Sequence, residues 1–359
     1  MKFFWRFGFA VLAAVAGSSC VSTKTEEVTL NRFEFDQTEM AVPFRIVLYA
    51  PNQSMASMAA AAAFQRVKQL NDMMTDYDSD SELSRLSRTS GKGQAVRVSH
   101  DLWVVLERAQ SLAERSGGAF DVTVGPYVNL WRQARRQGTL PDPARLAKAG
   151  LSVGYKNVVL NATNRTVTLL APDMRLDLGG IAKGYAVDQA LHVVGRFGLG
   201  TALVSGGGDL AVSGPPPGQR GWRVELPPLD ASNAPPARFV LLSHAGLSTS
   251  GDLFQRLEIN GKRYSHIVDP RTGIGLTDHS LVTVIAPDDF TADSLTKVMS
   301  VLDPKEALRF IQGTPHLAVR IVRKPGEKVE VYESRRFHQF YQRAKVKTAT
   351  LGPGTNPSP

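Results

Sequence analysis

Hydrophobic positions along the chain follow two different spacings. Residues 54–74 are rich in Ala and Met with few helix breakers and predict a long helix. A second helix is predicted from an N-cap at Ser99 through Asp101 and Trp103 to Arg115, where Gly117-Gly118 stops it. Short runs of aliphatic and β-branched residues predict strands at 45–49, 157–160, 166–170, 201–205, 238–242 and 281–285. Two late helices are predicted, one capped by Thr291 and one by Asp303-Pro304. Pro215-Pro216-Pro217 and residues 230–236 read as loops. Helices and strands alternate without an internal repeat. The expected fold class is therefore α/β (α+β), in a single composite domain.

Composition adds exclusions. With 359 residues, 43% hydrophobic and 21% charged, the chain is neither disordered throughout nor collagen-like. One cysteine rules out a disulfide framework and cysteine-based zinc sites. Lys2 and Arg6 precede the apolar stretch 7–16, followed by Gly17-Ser18-Ser19 and Cys20, so residues 1–19 read as a signal peptide. The cysteine stands where bacterial lipoproteins carry their acylated residue, although Gly17 replaces the usual aliphatic residue three positions earlier. The expectation is an extracytoplasmic lipoprotein, membrane-anchored through Cys20 and facing the periplasm. A soluble exported protein is the alternative.

The net charge of +9 is uneven. Between Arg320 and Lys347, nine Lys and Arg face three Glu, giving 9 − 3 = +6. Aromatic residues accompany them, but no nucleic-acid-binding motif does, so nucleic acid is not an expected partner. A solvated strand followed by a basic Pro-Gly tail, disordered over 342–359, accounts for the excess.

Several segments carry chemistry. In Leu176-Asp-Leu-Gly-Gly-Ile-Ala-Lys-Gly-Tyr185 an apolar strand is expected to end at Asp177, with a turn at Gly179-Gly180 and a helix from about Ile181. Such a turn lets backbone N–H groups approach a phosphate, and Lys183 adds a cation. A tight turn kept for its backbone geometry is the alternative. Gly206-Gly207-Gly208-Asp209 precedes another strand rather than a helix, which excludes a Rossmann fingerprint and leaves a glycine-rich hairpin. Asp76, Asp78, Asp80 and Glu82 lack the glycine and glutamate of a calcium loop. His266 lies in a strand-like segment before a turn, beside Asp269, Arg271 and Thr272, and reads as structural or catalytic. Asp293, placed in the first turn of a late helix, reads either as favouring the helix N-terminus or as a hard-metal ligand.

Taken in order, these segments resemble the ApbE family, the FAD:protein FMN transferases, over roughly residues 27–341. The resemblance rests on Met40, on Tyr77 with Ser81-Glu82-Leu83, and on Gly118-Ala-Phe-Asp-Val-Thr-Val-Gly-Pro-Tyr-Val-Asn-Leu-Trp131. It continues through residues 176–185, Ser205-Gly-Gly-Gly-Asp209, Thr249-Ser-Gly251, Ser265-His-Ile-Val-Asp-Pro-Arg-Thr-Gly273 and Ala292-Asp293. It implies an α/β core related to T-fold proteins, FAD as substrate, Mg²⁺, and transfer of FMN to a Thr or Ser hydroxyl of an exported acceptor protein with release of AMP. The acceptor would be a subunit of a membrane redox complex. Met40, Tyr77, Ala119, Phe120 and Asp121 would then line the flavin nucleotide, and Asp177, Lys183 and Ile267 would hold it beside the glycine turn. The Gly180 carbonyl and Asp293 would meet the metal, and His266 would be the general base.

One position departs from the family pattern. Lys297 stands where a threonine usually follows the metal aspartate by four residues. Its ammonium is placed to pair with Asp293 and displace the cation or replace part of its charge, while Thr296, at i+3, offers another ligand. Retained Mg²⁺ binding is the expectation. Three further readings remain beside transfer: an FAD pyrophosphatase yielding FMN and AMP, a non-catalytic FAD-binding lipoprotein, and a flavoprotein using bound FAD for redox work.

Overall fold

The computed structural model describes Met1 and residues 29–230, 238–251 and 256–342. The expected signal peptide, Cys20, most of the 230–236 loop and all but the first residue of the expected tail lie outside these residues. The frame is one eight-stranded sheet, antiparallel throughout, whose spatial order follows the chain order. Its strands are β1 (Asn31–Glu39), β2 (Val42–Ala50), β3 (Ala202–Gly206), β4 (Asp209–Val212), β5 (Ala245–Gly251), β6 (His279–Ala286), β7 (Ala318–Lys324) and β8 (Glu330–Glu333). Leu247 on β5 stands opposite Leu210 on β4 and Ile285 on β6.

Both faces of this sheet are covered, which explains why its central strands read as apolar runs. On β2, Phe44, Ile46 and Leu48 point into the larger core, whereas Val47 joins Trp222, Val240, Leu242 and Phe337 on the opposite face. The larger core is closed by α1 (Gln53–Met74), α2 (His100–Arg115), α4 (Ala182–Arg196) and α5 (Asp289–Val301), while α3 (Gly125–Gln137) borders a satellite cluster around Trp131 and Tyr264. Helix α4 packs on both α1 and α5. The predicted strands near 157–160 and 166–170 pair with each other, the second of them pairs also with Val96–Arg97 in a small sheet, and Arg238–Leu242 pairs with Trp222–Leu226. Among the described residues no helix is long and apolar enough to cross a membrane.

Ser99 caps α2 as predicted, accepting the Leu102 N–H. The cap of α5 differs from expectation: it is Asp288, whose carboxylate accepts the Thr291 N–H at 2.7 Å. Asp188 reaches over from α4 and accepts the N–H groups of Asp289 and Phe290 at 3.0 and 2.8 Å. With three of its orphan donors satisfied, the helix starts earlier, and Asp293 falls in the second turn rather than the first. The strand expected to end at Asp177 shrinks to one bridge between Arg175 and Val124.

Two consequences are measurable. A Cβ at Gly184 would collide with the Asp289 carbonyl and stand 2.7 Å from Asp293 Cβ, so Gly184 sets how closely α4 and α5 approach. Gly184→Ala is expected to lower unfolding free energy in a denaturant titration by about 1–3 kcal/mol, the usual range for overpacking. Burial pushes the Asp188 carboxyl up to about 7 from its usual 3.8. The folded chain thus keeps a proton that the unfolded chain has released; this stabilisation is complete below the unfolded value and is lost as pH rises through about 7. Asp188→Asn is therefore expected to gain stability relative to wild type as pH is raised across that window, read from thermal unfolding at a series of pH values.

Candidate active site

A cavity of about 740 Å³ is lined by the loop ahead of α3, the 179–180 turn, the end of β5 and the chain from Tyr264 to Val268. Its volume lies in the range of small-molecule sites, about 300–1,000 Å³. Ala119, Phe120, Asp121, Tyr77, Asp177, Gly180, Lys183, His266, Ile267 and Lys297, all anticipated from the sequence, line it.

At the glycine turn, Asp177 Oδ1 accepts the Gly179 N–H at 2.8 Å, an Asx-type turn that fixes the loop entering α4. Asp177 Oδ2 receives Arg132 at 3.0 Å, and the same guanidinium also bonds Asp76 and lies 4.4 Å from the centre of the Tyr77 ring. Burial and the nearby Asp76 push the Asp177 carboxyl up, against the pull of Arg132. Arg132, on α3, is the residue that ties these groups together. Sequence reading missed it by one position, since the motif it followed ends at Trp131.

Asp121 has a structural engagement. Its carboxylate accepts the Thr123 N–H and hydroxyl at 2.8 and 2.7 Å and the Tyr155 N–H at 2.7 Å, so it braces the loop behind the cavity wall. Burial raises its pKa in spite of these donors. Met40 sits at positive φ in the β1–β2 turn and packs against the core; Val42 is the residue of that hairpin that lines the cavity.

The far wall is cationic. Lys183, in the first turn of α4, bonds Asp209, which follows the Gly207-Gly208 turn between β3 and β4 and also accepts the Ser248 hydroxyl at 2.6 Å. Burial disfavours the Lys183 ammonium, but Asp209, Asp293 and Asp289 outweigh it and raise its pKa. Asp293 is fully buried on α5, with Oδ2 accepting the Gly184 N–H at 3.0 Å and Oδ1 held by Lys297 Nζ at 2.7 Å. Burial opposes its charge, yet the two lysines hold its pKa below the ordinary value. Thr296 donates its hydroxyl to the Asp293 carbonyl at 2.6 Å. Asp289, equally buried, has no hydrogen-bond partner among the described residues for either oxygen, and burial with the neighbouring carboxylates pushes it well up, towards the neutral acid.

His266 follows the strand Lys262–Ser265 directly and is exposed while lining the cavity. The chain there is anchored: Ser265 Oγ accepts the Ile267 N–H at 3.1 Å, and Trp131 Nε1 donates to the Gly273 carbonyl at 2.8 Å. One cavity therefore combines an imidazole that can take a proton with two ammoniums beside a helix start that can hold an anion.

The sequence profile of the ApbE family matches residues 40–321. The FAD:protein FMN transferase of Haemophilus influenzae is 34% identical over 263 residues, 71% of this chain and 75% of the relative. That of Escherichia coli K12 is 32% identical over 75% of this chain and 78% of its own. Among solved structures, the flavin transferase ApbE of Vibrio cholerae superposes with a TM-score of 0.78 at 25% identity, covering 87% of this chain and 100% of the other. The ApbE protein of Thermotoga maritima gives 0.76 at 27% identity with the same coverage. The family profile over residues 40–321, the relatives and the shared fold agree, and the chain belongs to the ApbE family.

Proposed function

We propose that this protein is an FAD:protein FMN transferase acting on a Thr or Ser hydroxyl of an acceptor protein. The observation that carries the reading is the meeting of Lys183, Lys297 and the 179–180 turn with His266 in a single cavity. FAD would lie with its pyrophosphate at the cationic wall and its flavin towards Tyr77, Phe120 and Ile267. The acceptor hydroxyl oxygen forms a bond to the FMN-side phosphorus, and His266 takes the hydroxyl proton. The P–O bond to AMP breaks, and its electron pair leaves with the AMP phosphate. Phosphoryl transfer asks mainly for positioning and charge neutralisation, which this wall supplies. Relatives that share most of the chain carry the transferase name, which favours transfer over FAD hydrolysis or storage.

The resemblance also implies Mg²⁺ at Asp293. Mg²⁺ requires near-octahedral oxygen coordination. Here one Asp293 oxygen holds an ammonium at 2.7 Å and the other a backbone N–H at 3.0 Å. Thr296 Oγ1 accepts from Lys297 at 2.9 Å while donating to a carbonyl. Among the described residues no three carboxylate, imidazole or thiol groups gather to hold a metal ion. The residues present do not fit the ion, and no step above runs through one.

The leader-like residues 1–19 and Cys20 support a lipid-anchored enzyme outside the cytoplasm, meeting exported segments of membrane redox complexes. The catalytic domain is assigned to residues 27–341. The test mixes the protein with FAD and an acceptor domain bearing a threonine, and follows acceptor mass and released AMP. An FMN-sized gain with equimolar AMP is expected, and free FMN without acceptor gain would overturn the reading. His266→Ala is expected to slow transfer by about 10²–10⁴-fold, the usual worth of a general base, while FAD affinity stays unchanged.

A further inference from the structure

Lys297 lies one turn beyond Asp293 on α5, and its ammonium is surrounded by oxygen. Asp293 Oδ1 is 2.7 Å from Nζ, Ser250 Oγ 2.8 Å, Thr296 Oγ1 2.9 Å and the Asp293 carbonyl 3.4 Å. A carboxylate, two hydroxyls and a carbonyl are donors of the kind that hard cations take. Here a covalently tethered cation fills the set. Its stem gets there by lying along the glycine turn: a Cβ on Gly180 would stand 3.1 Å from Lys297 Cγ and 3.5 Å from Cε. The side chain keeps 16% of its surface exposed and lines the cavity together with Gly180 and Lys183.

The charge count explains what this does. The carboxylates Asp209 and Asp293 face two ammoniums, Lys183 and Lys297. With a neutral residue at 297 the group would be net negative, next to a wall meant for a diphosphate, and an added cation would be needed. With Lys297 it is balanced from within the chain. A metal bound to Asp293 Oδ1 would sit about 2.0–2.1 Å from that oxygen, in the place and against the charge of the ammonium.

Resting on the flavin-transferase reading, we propose that Lys297 is the built-in cation of the site. Its ammonium, fixed on Asp293, takes the place of a metal ion beside the FAD diphosphate and the departing AMP phosphate, so the site carries no uncompensated carboxylate there. FAD binding and FMN transfer in this chain then need no divalent metal. The bonds made and broken are those given above: acceptor oxygen to FMN phosphorus, and phosphorus to AMP oxygen, with no change of redox state.

The test uses the full chain in detergent. Mn²⁺, whose resonance signal broadens on binding, is titrated into the protein with and without FAD. FAD affinity is measured separately by flavin fluorescence in Mg²⁺ and in EDTA. Wild type is expected to leave Mn²⁺ free into the millimolar range and to bind FAD equally well in Mg²⁺ and EDTA. Lys297→Thr, which removes the charge and adds a hydroxyl, is expected to take up Mn²⁺. In EDTA its FAD affinity should fall about tenfold, the worth of one charge-assisted contact, and Mg²⁺ should restore it. Micromolar Mn²⁺ uptake by wild type, or loss of its FAD binding in EDTA, overturns the proposal. So does a folded Lys297→Thr that ignores Mn²⁺. Circular dichroism checks folding, and the wild-type titrations decide by themselves if the variant does not fold. FAD that binds without metal but yields no FMN-bearing acceptor would defeat the transferase reading and leave the cation assignment standing.

Discussion

Where α4 crosses α5, the backbone N–H of Gly184 reaches the buried Asp293 carboxylate at 3.0 Å, and the cationic wall of the cavity is built around that contact. Closeness is what matters. Lys183 precedes Gly184 and Lys297 follows Asp293 by one turn, so the crossing fixes both ammoniums relative to the glycine turn. The same crossing brings Asp188 under the N-terminus of α5, where it accepts two N–H groups. A side chain at 184 would open the crossing and shift both cations away from the turn.

Packing this many carboxyls between a sheet and its helices is costly unless their charge is balanced. Two solutions coexist here. Asp293 is held below its ordinary value by two lysines, and Asp209, pushed up by burial and by Asp293, is pulled back by the Lys183 ammonium on it, whereas Asp289, with no hydrogen-bond partner among the described residues, is driven towards its neutral form. Asp188 is intermediate, because burial raises its pKa while two backbone donors restrain the rise. The lysines of the wall are therefore already paired with carboxylates before any ligand arrives, and their ammoniums are held in place rather than recruited.

Much of this was legible in the sequence. A breaker-poor Ala- and Met-rich run located α1, and a cap serine with stop glycines located α2, each to within a residue, because those signals are local. The ordered motifs contain about two thirds of the residues lining the cavity. What escaped depends on contacts between distant segments. The start of α5 was misplaced in part because its local cap, Asp288, was passed over for Thr291, and in part because Asp188 of α4 takes two further N–H groups, which no local pattern reports. Arg132 escaped because its role exists only once Asp76, Tyr77 and Asp177 have been folded around it. Asp121 looked like a ligand-facing acid, but the backbone donors of Thr123 and Tyr155 claim its oxygens. At Lys297 the i+4 spacing did announce the pairing with Asp293; Ser250, from β5, was needed to complete the oxygen shell.

The depth at which each group sits divides recognition into two separate problems. The lysines belong to the helix crossing, where the proposed reading puts the FAD diphosphate, whereas His266 is exposed just past the hairpin of Arg256–Ile259 and Lys262–Ser265. On the transferase reading, an acceptor protein would then have to bring only a hydroxyl-bearing surface loop to His266. Changes in the hairpin around His266 would alter which loops are admitted while the grip on the donor stayed as it was. Such a chain can acquire new clients by editing its rim, with its interior chemistry inherited intact.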